Sequence, residues 1–366
     1  MAKNWIKEGA EVTVITSPYE KSNITSKKII RMDRIDGINL IIINFRDSNR
    51  FSILKRMLNA IFFSIFACYY IIKLKYDICI ASSGPITVGI PMLFSKFFKK
   101  KKTVFEVRDL WPDGLFELKN VKNKLVIFIG LFFEKTIYDN SDLIVAASEG
   151  MSEQIRKKTN KKIVIVPNAS DNKLFDSFNI YNSTKPYFIY AGSLGFMDDL
   201  DYLFDAIDSI DLKYRQKFDV LIFGDGVDLD RLQNISRKKK YNIIFKGLVS
   251  KNILIPYLKG ALASFVLFKN YQILGTSSPN KMFDSFAAGI SIIHNTEGWI
   301  KTLINKENCG FNVDPKCPND LSELIVKILN QKIELDKINY NAKKIANKLF
   351  NRKKISNFFL NELKKI

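Results

Sequence analysis

The sequence predicts an α/β fold of two Rossmann-like domains, each a parallel sheet covered by helices on both faces. Three observations carry this. Short β-branched runs alternate with longer helical patterns from one end of the chain to the other. The runs are continuously apolar, as strands buried on both faces must be. The series restarts after residues 168–185, a polar stretch rich in Asn, Asp and Ser with no apolar periodicity.

The first series of strands is expected at residues 12–16, 40–44, 78–81, 103–107, 143–147 and 163–166. The second is expected at 187–191, 220–223, 243–245, 263–268 and 291–294. Strands separated by helices are joined by crossovers, so they run parallel. Expected domains are 1–175 and 176–345, followed by a C-terminal helix over 346–366 that packs back on the N-terminal domain. The start breaks the pattern. Residues 2–7 read as the end of a helix closed by Gly9, and a helix feeding a strand should itself follow a strand. The expectation is an N-terminal domain lacking its first strand. The alternative is a fold that begins with a helix.

Composition excludes several function classes. The 366 residues carry 57 Lys+Arg against 37 Asp+Glu, a formal charge of +20, and are 47% hydrophobic. That apolar fraction is too high for a disordered polycation. The single histidine, His294, leaves no pair for a zinc site, and any Ser-His-Asp arrangement must use it. Cys68, Cys79, Cys309 and Cys317 lack CxxC spacing, so neither a metal site nor a disulfide framework is expected. Such usage fits a reducing cytoplasm. Nucleic acid, anionic lipid and phosphorylated small molecules all suit the charge. The lysines are dispersed and no RNP-like, helix-turn-helix or zinc-finger pattern is present, which argues against nucleic acid.

Two segments are greasier than ordinary surface helices. Residues 57–72 are flanked by Lys55, Arg56, Lys73 and Lys75, and residues 125–137 carry Phe128, Phe132 and Phe133. Both fall short of the ~20 apolar residues of a membrane span. Basic flanks and aromatic faces suit a helix lying in an anionic membrane surface, and the lysine run 99–102 adds to that patch. The alternative is a buried core helix beside a solvated lysine run.

In parallel sheets, ligands sit beyond the carboxyl ends of the strands. Ser82-Ser83-Gly84-Pro85 follows one strand end. Arg108-Asp109-Leu110-Trp111-Pro112-Asp113 follows another and brings an arginine and two carboxylates to a possible cleft. The bland reading is an Arg108–Asp109 ion pair that fixes the loop. In the second half, Gly192-Ser193-Leu194-Gly195, Gly224-Asp225-Gly226 and Gly247-Leu248-Val249 follow successive strands. Glycines there let a ligand approach the backbone, although glycine also ends strands for local reasons.

The strongest chemical pattern is Ser277, Ser278, Pro279 and Lys281, then Asp284 one turn later. Ser278 reads as a helix N-cap with Pro279 at the first helical position. A cation in the first turn opposes the helix dipole, a cost that makes sense if a phosphate binds there as well. Asp284 then reaches a ribose diol. The alternative is a lysine swung into solvent.

The strings GAEVTVIT, SSGPITVG, FEVRDLWPD, SDLIVAASEGM, VPNASDNKLF, FIYAGSLG, LIFGDG, IIFKGLV and SSPNKMFDSFAAG run from Gly9 to Gly289. In that order they resemble the retaining family-4 glycosyltransferases of the GT-B fold, two Rossmann-like domains facing a cleft. More narrowly they are similar to the bacterial O-antigen and capsule branch that transfers N-acetylaminosugars such as fucosamine.

The resemblance implies a nucleotide-sugar donor, most often UDP-linked, on the C-terminal domain. It implies an undecaprenyl-diphosphate-linked saccharide acceptor, no obligatory cofactor or metal, and a cytoplasmic enzyme peripheral to the plasma membrane. Gly192, Ser193 and Gly224 would border the donor, and Gly247, Leu248 and Val249 the base. Asp284 would contact the ribose, Lys281 with the Ser277 and Ser278 amides the diphosphate, and Asp109 with Arg108 the reacting sugar. Two departures stand out: Thr276 replaces the first glutamate of the paired-glutamate motif, and Ser193 and Asp198 lie where many relatives carry a basic pair. The competing readings are a UDP-sugar epimerase of the same fold, which needs more histidine, and an inactive truncated remnant.

Overall fold

The computed structural model describes residues 1–18, 28–45, 51–119, 121–239 and 241–366. The chain forms two compact units, Met1–Pro167 with Lys353–Ile366, and Asn168–Arg352.

The N-terminal unit runs α1 (Ala2–Lys7), β1 (Thr13–Thr16), β2 (Ile30–Ile35), β3 (Ile38–Ile43), α2 (Ile53–Lys73), β4 (Ile78–Ser82), α3 (Gly89–Lys99), β5 (Lys102–Val107), α4 (Asp113–Lys119), α5 (Lys124–Asp139), β6 (Leu143–Ala146), α6 (Glu149–Arg156) and β7 (Ile163–Ile165). Strands β4-β5-β6-β7 form a parallel sheet, and β6 is buried along its whole length. A second sheet has the order β1-β3-β2.

That second sheet corrects the expectation of purely parallel strands. β1 pairs with β3 in parallel, whereas β2 pairs with β3 as an antiparallel hairpin. Asp36 and Gly37 both have positive φ, 53° and 83°. This is the two-residue Asp-Gly turn whose twist matches the flanking strands. β2 is no apolar run, since its sequence, IRMDRI, is half charged.

Helix α2 also exceeds expectation. Ser52 caps it by accepting from the Lys55 amide, and the helix then runs 21 residues, beyond the apolar core at 57–72. Leu54–Lys73 is therefore long and apolar enough to cross a membrane by length and composition.

The C-terminal unit runs α7 (Asn172–Asp176), β8 (Tyr187–Ala191), α8 (Leu200–Asp208), α9 (Leu212–Arg215), β9 (Asp219–Phe223), α10 (Leu229–Lys239), β10 (Ile243–Gly247), α11 (Lys251–Gly260), β11 (Ser264–Val266), α12 (Asn280–Ala288), β12 (Ile292–His294), α13 (Trp299–Glu307), β13 (Gly310–Asn312), α14 (Pro318–Leu329) and α15 (Leu335–Lys348). Its sheet is parallel throughout, in the order β10-β9-β8-β11-β12-β13. The three-residue edge strand β13 adds one strand to the expected series. One core layer is made by Phe188, Tyr190, Leu203, Ile222 and Phe265, all fully buried, against α8 and α14.

The last helix, α16 (Arg352–Leu363), lies almost wholly in the N-terminal unit. There the Trp5 ring meets Phe359 edge-on at 5.2 Å, and its Nε1 donates to the Ser356 carbonyl at 3.0 Å. Lys162 pairs with Glu362 at 2.7 Å.

Candidate functional site

In the C-terminal unit the loops that leave β8, β9 and β10 are tied to one another by backbone. The Gly192 amide donates to the Phe223 carbonyl at 3.0 Å, and the Gly224 amide to the Gly247 carbonyl at 2.9 Å. Gly224 has φ +142°, and a Cβ there would lie 1.8 Å from the Gly192 carbonyl oxygen. That glycine is thus required by its neighbouring loop, whatever binds above it. Gly192 is different. A Cβ there would sit 3.2 Å from the Lys281 ammonium and 3.1 Å from the Tyr190 hydroxyl. The missing side chain lets the lysine and the phenol pack close against the loop.

Lys281 does not swing into solvent; its side chain is 9% exposed. Its Nζ lies 2.5 Å from Asp198 Oδ1 and 2.9 Å from the Tyr190 hydroxyl, over the rings of Tyr190 and Phe268. Ser193 Oγ donates to the other Asp198 oxygen at 2.9 Å. Asp198 is therefore the counter-charge that holds the lysine beside the glycine loop. Burial pushes the Tyr190 phenol well above its usual range, so it stays protonated and donates to the Ser193 carbonyl at 2.6 Å.

The start of α12 differs from the expected cap. Pro279 keeps an extended backbone (φ −75°, ψ 127°), so helical geometry begins one residue later, at Asn280. Ser278 is accordingly not the cap, and its buried hydroxyl has no partner among the described residues. The Ser277 amide is taken by the Leu274 carbonyl at 3.1 Å. The Ser277 and Ser278 carbonyls are held by Trp299 Nε1 and Asn168 Nδ2, each at 2.8 Å. Thr276 is 9% exposed and donates to the Ile273 carbonyl.

Asp284 accepts from Lys251 Nζ at 2.7 Å and from the Ser170 hydroxyl. Sequence reasoning missed Lys251. It opens α11 directly after the Gly247, Leu248, Val249 loop, so one ion pair links the expected base loop to the expected ribose contact. Leu248 points outward, 66% exposed.

His294 is fully enclosed. Its Nδ1 faces the Val266 carbonyl and its Nε2 the Thr296 hydroxyl, both at 2.8 Å. Among the described residues no carboxylate orients the ring, whose two nitrogens face a backbone carbonyl and a hydroxyl, so this is not a nucleophile–base–acid arrangement. Burial lowers its pKa to about 4 from 6.5, and the ring is neutral at pH 7. The unfolded chain takes up a proton here between pH 6.5 and 4 and the folded chain does not, so stability drops as pH falls through that window. Urea unfolding at several pH values is expected to show this loss, about 3 kcal/mol in all, and His294→Gln to remove that component.

In the N-terminal unit, the loop after β5 is fixed from two sides. Ser83 Oγ accepts from the Arg108 amide at 2.9 Å, and Asp113 pairs with Lys158 at 2.6 Å. Lys158 also pairs at 2.7 Å with Glu134 of α5, which is 2% exposed and accepts from the Tyr138 hydroxyl at 3.0 Å. Between these anchors, Arg108 and Asp109 reach solvent. Surrounding protein nonetheless raises the Asp109 carboxyl above its ordinary range by desolvation, with Arg108 pulling it down. The bland expectation that an Arg108–Asp109 pair fixes the loop gives way to Ser83 and Lys158. Among the described residues, no group of three His, Cys, Asp or Glu side chains gathers where it could hold a metal ion.

Comparisons with known proteins bear on the family and the fold. The family model "Glycosyltransferase Family 4" matches residues 1–173, and "Glycosyl transferases group 1" matches residues 172–345. An uncharacterized glycosyltransferase of Methanocaldococcus jannaschii is 20% identical over 222 residues, 60% of this chain; the match spans 58% of that relative's length. Sucrose-phosphate synthase of Thermosynechococcus elongatus superposes on 99% of this chain and 90% of its own, with a TM-score of 0.76 at 15% identity. Anabaena HepE, solved in complex with UDP, superposes on 90% of this chain and 87% of its own, with a TM-score of 0.64 at 12% identity. At these identities the likeness is one of fold.

Proposed function

We propose, from the premise that this chain is a GT-B glycosyltransferase with a family 4 half and a group 1 half, that it moves an N-acetylated aminosugar from a UDP-sugar to a lipid-linked saccharide, with retention. The setting is O-antigen or capsule assembly at the inner face of a bacterial plasma membrane. The observation that carries the donor half is the Lys281 ammonium held against the Gly192 loop in the first turn of α12. A cation, a helix N-terminus and an open glycine loop together suit a diphosphate. The choice of nucleotide is supported by Anabaena HepE, which shares this fold and was solved with UDP bound.

In this reading the nucleoside diphosphate departs from the anomeric carbon. Lys281 and the first-turn amides of α12 stabilise the charge that develops on it. Asp198 keeps the lysine in place between turnovers. The acceptor hydroxyl attacks from the face the diphosphate leaves, and Asp109, with a raised carboxyl pKa, positions that hydroxyl and takes its proton. Arg108 balances the charge. Asp284 and Lys251 hold the ribose, and the Gly247, Leu248, Val249 loop holds the base.

UDP at a hundredfold excess over its Kd is expected to stabilise the protein by about 2.7 kcal/mol, read as a rise in Tm. Asp109→Asn is expected to keep that rise while transfer falls by about 10²–10⁴. No stabilisation by UDP or any other nucleoside diphosphate, or full transfer by Asp109→Asn, would overturn the corresponding half of the reading.

A further inference from the structure

We propose that the N-terminal unit docks on an anionic lipid bilayer through the outward faces of α2, α3 and α5, with α2 lying in the plane of the membrane. The acceptor reading above explains why such an address is useful, and the proposal rests on it for that alone; the surface itself stands on exposure and charge.

On α2, Leu54, Met57, Ile61, Ile65, Tyr69 and Ile72 recur every three or four residues and are each 44–69% exposed. That spacing is one face of a helix. On α5, Phe128 and Phe132 stack outward, 67% and 64% exposed, and at the end of α3 Phe97 and Phe98 are 58% and 72% exposed. A folded protein in water rarely leaves so much contiguous apolar surface uncovered, because each Å² costs about 25 cal/mol.

The opposite face of α2 is anchored. Ala67, Tyr70 and Ile71 are buried, and the Ser64 hydroxyl lies between the Ala60 carbonyl of its own helix at 2.8 Å and the Thr87 carbonyl at 3.1 Å. Pulling this helix across a bilayer would undo that packing, so its length is used along the surface, about 30 Å of it. The neighbouring helices are tied in as well: Lys99 at the end of α3 donates to the Ile72 carbonyl of α2 at 2.9 Å. Gly89 of α3 packs directly on Ile137 of α5.

Charge selects the occupant. Residues 51–102 contain nine Lys and Arg and a single acid, Asp77. Lys55 lies over the Phe51 ring at 4.0 Å and Lys73 over Tyr69 at 4.4 Å, one at each end of the apolar stripe. Stems along the greasy surface with ammonium groups at its rim is how lysine behaves at a lipid interface. The cores of protein–protein interfaces are instead depleted of lysine. Nucleic acid has no use for an aliphatic stripe.

Flotation with phosphatidylcholine vesicles containing about 30% phosphatidylglycerol tests this, with no donor or acceptor present. The protein is expected to float with those vesicles and far less with phosphatidylcholine alone. Lys75→Glu/Lys100→Glu, two exposed positions, is expected to weaken anionic binding at least about tenfold. Phe128→Ser/Phe132→Ser is expected to weaken binding to both vesicle types while keeping the UDP-induced rise in Tm, which separates loss of docking from loss of fold or donor site. Wild-type protein that ignores anionic vesicles, or variants that float like wild type, would overturn the proposal. So would a dimer in solution that Phe128→Ser/Phe132→Ser dissociates, since a second copy would then own this face.

Discussion

Lys281→Met is expected to reduce transfer at least about a hundredfold and to abolish the UDP-induced rise in Tm. It is also expected to destabilise the C-terminal unit by about 3–5 kcal/mol, because Asp198, only 6% exposed in the native pair, is left buried without its counter-charge. The two effects have different causes and a second substitution separates them. Lys281→Met/Asp198→Asn removes the stranded charge while the amide still accepts from Ser193, so most of the stability should return. Donor binding should not, because the cation for the diphosphate is still missing. Thermal unfolding with and without UDP on the single and double variants reads both quantities. Full activity in either variant would rule out the phosphate role of Lys281. Recovery of UDP binding in the double variant would show that the pair matters only for folding.

Lys158→Met is expected to destabilise the N-terminal unit by a similar amount, about 3–5 kcal/mol. It strips two carboxylates of one cation: Glu134, 2% exposed, and Asp113, the first residue of α4. Burial already holds the Glu134 carboxyl above its ordinary range, and Lys158, with a smaller part from the Tyr138 hydroxyl, opposes the shift. Without Lys158 the pKa rises further. The folded protein then binds a proton on Glu134 at pH values where the unfolded chain does not, so the deficit should shrink as pH falls toward the ordinary glutamate range. Lys158→Met/Glu134→Gln should recover much of the loss at neutral pH. Amide hydrogen exchange along α5 and β6 provides a readout confined to this unit. A Lys158→Met protein whose exchange and pH dependence match wild type would show that the network carries no weight.

Much of the architecture is legible in the sequence because it is local. Buried strands such as β6 (LIVA) and β8 (YFIYA) announce themselves as short apolar runs between polar loops. Helix α5 is visible in the same way. The hairpin β2–β3 is not, since β2 alternates with charge and Met32 stands 68% exposed. Its one signal is the Asp36-Gly37 dipeptide, a turn cue rather than an apolar run. Sequence alone starts α12 one residue early, because Ser-Pro fits a cap and first-turn pair equally well on paper. Only the extended backbone at Pro279 decides between them.

By itself the sequence determined the class of fold, the alternation of strands and helices, the positive charge and the candidate residues at strand ends. It also held the strings that mark a glycosyltransferase. These are properties of residues near one another in the chain. Tertiary structure alone decided their partners. Asp198 meets Lys281 because β8 lies beside β11 in the sheet, and the short bridge from Asp198 to Phe268 brings the first loop against the second. Lys251 reaches Asp284 across 33 residues, and Lys158 reaches Glu134 across 24. The same holds for α2, whose apolar residues could have faced the core. Packing buried Ala67, Tyr70 and Ile71 and left Leu54, Ile65 and Ile72 outside. An ion pair or an exposed face is fixed by which elements become neighbours, and that follows from the packing of the whole chain rather than from any segment of it.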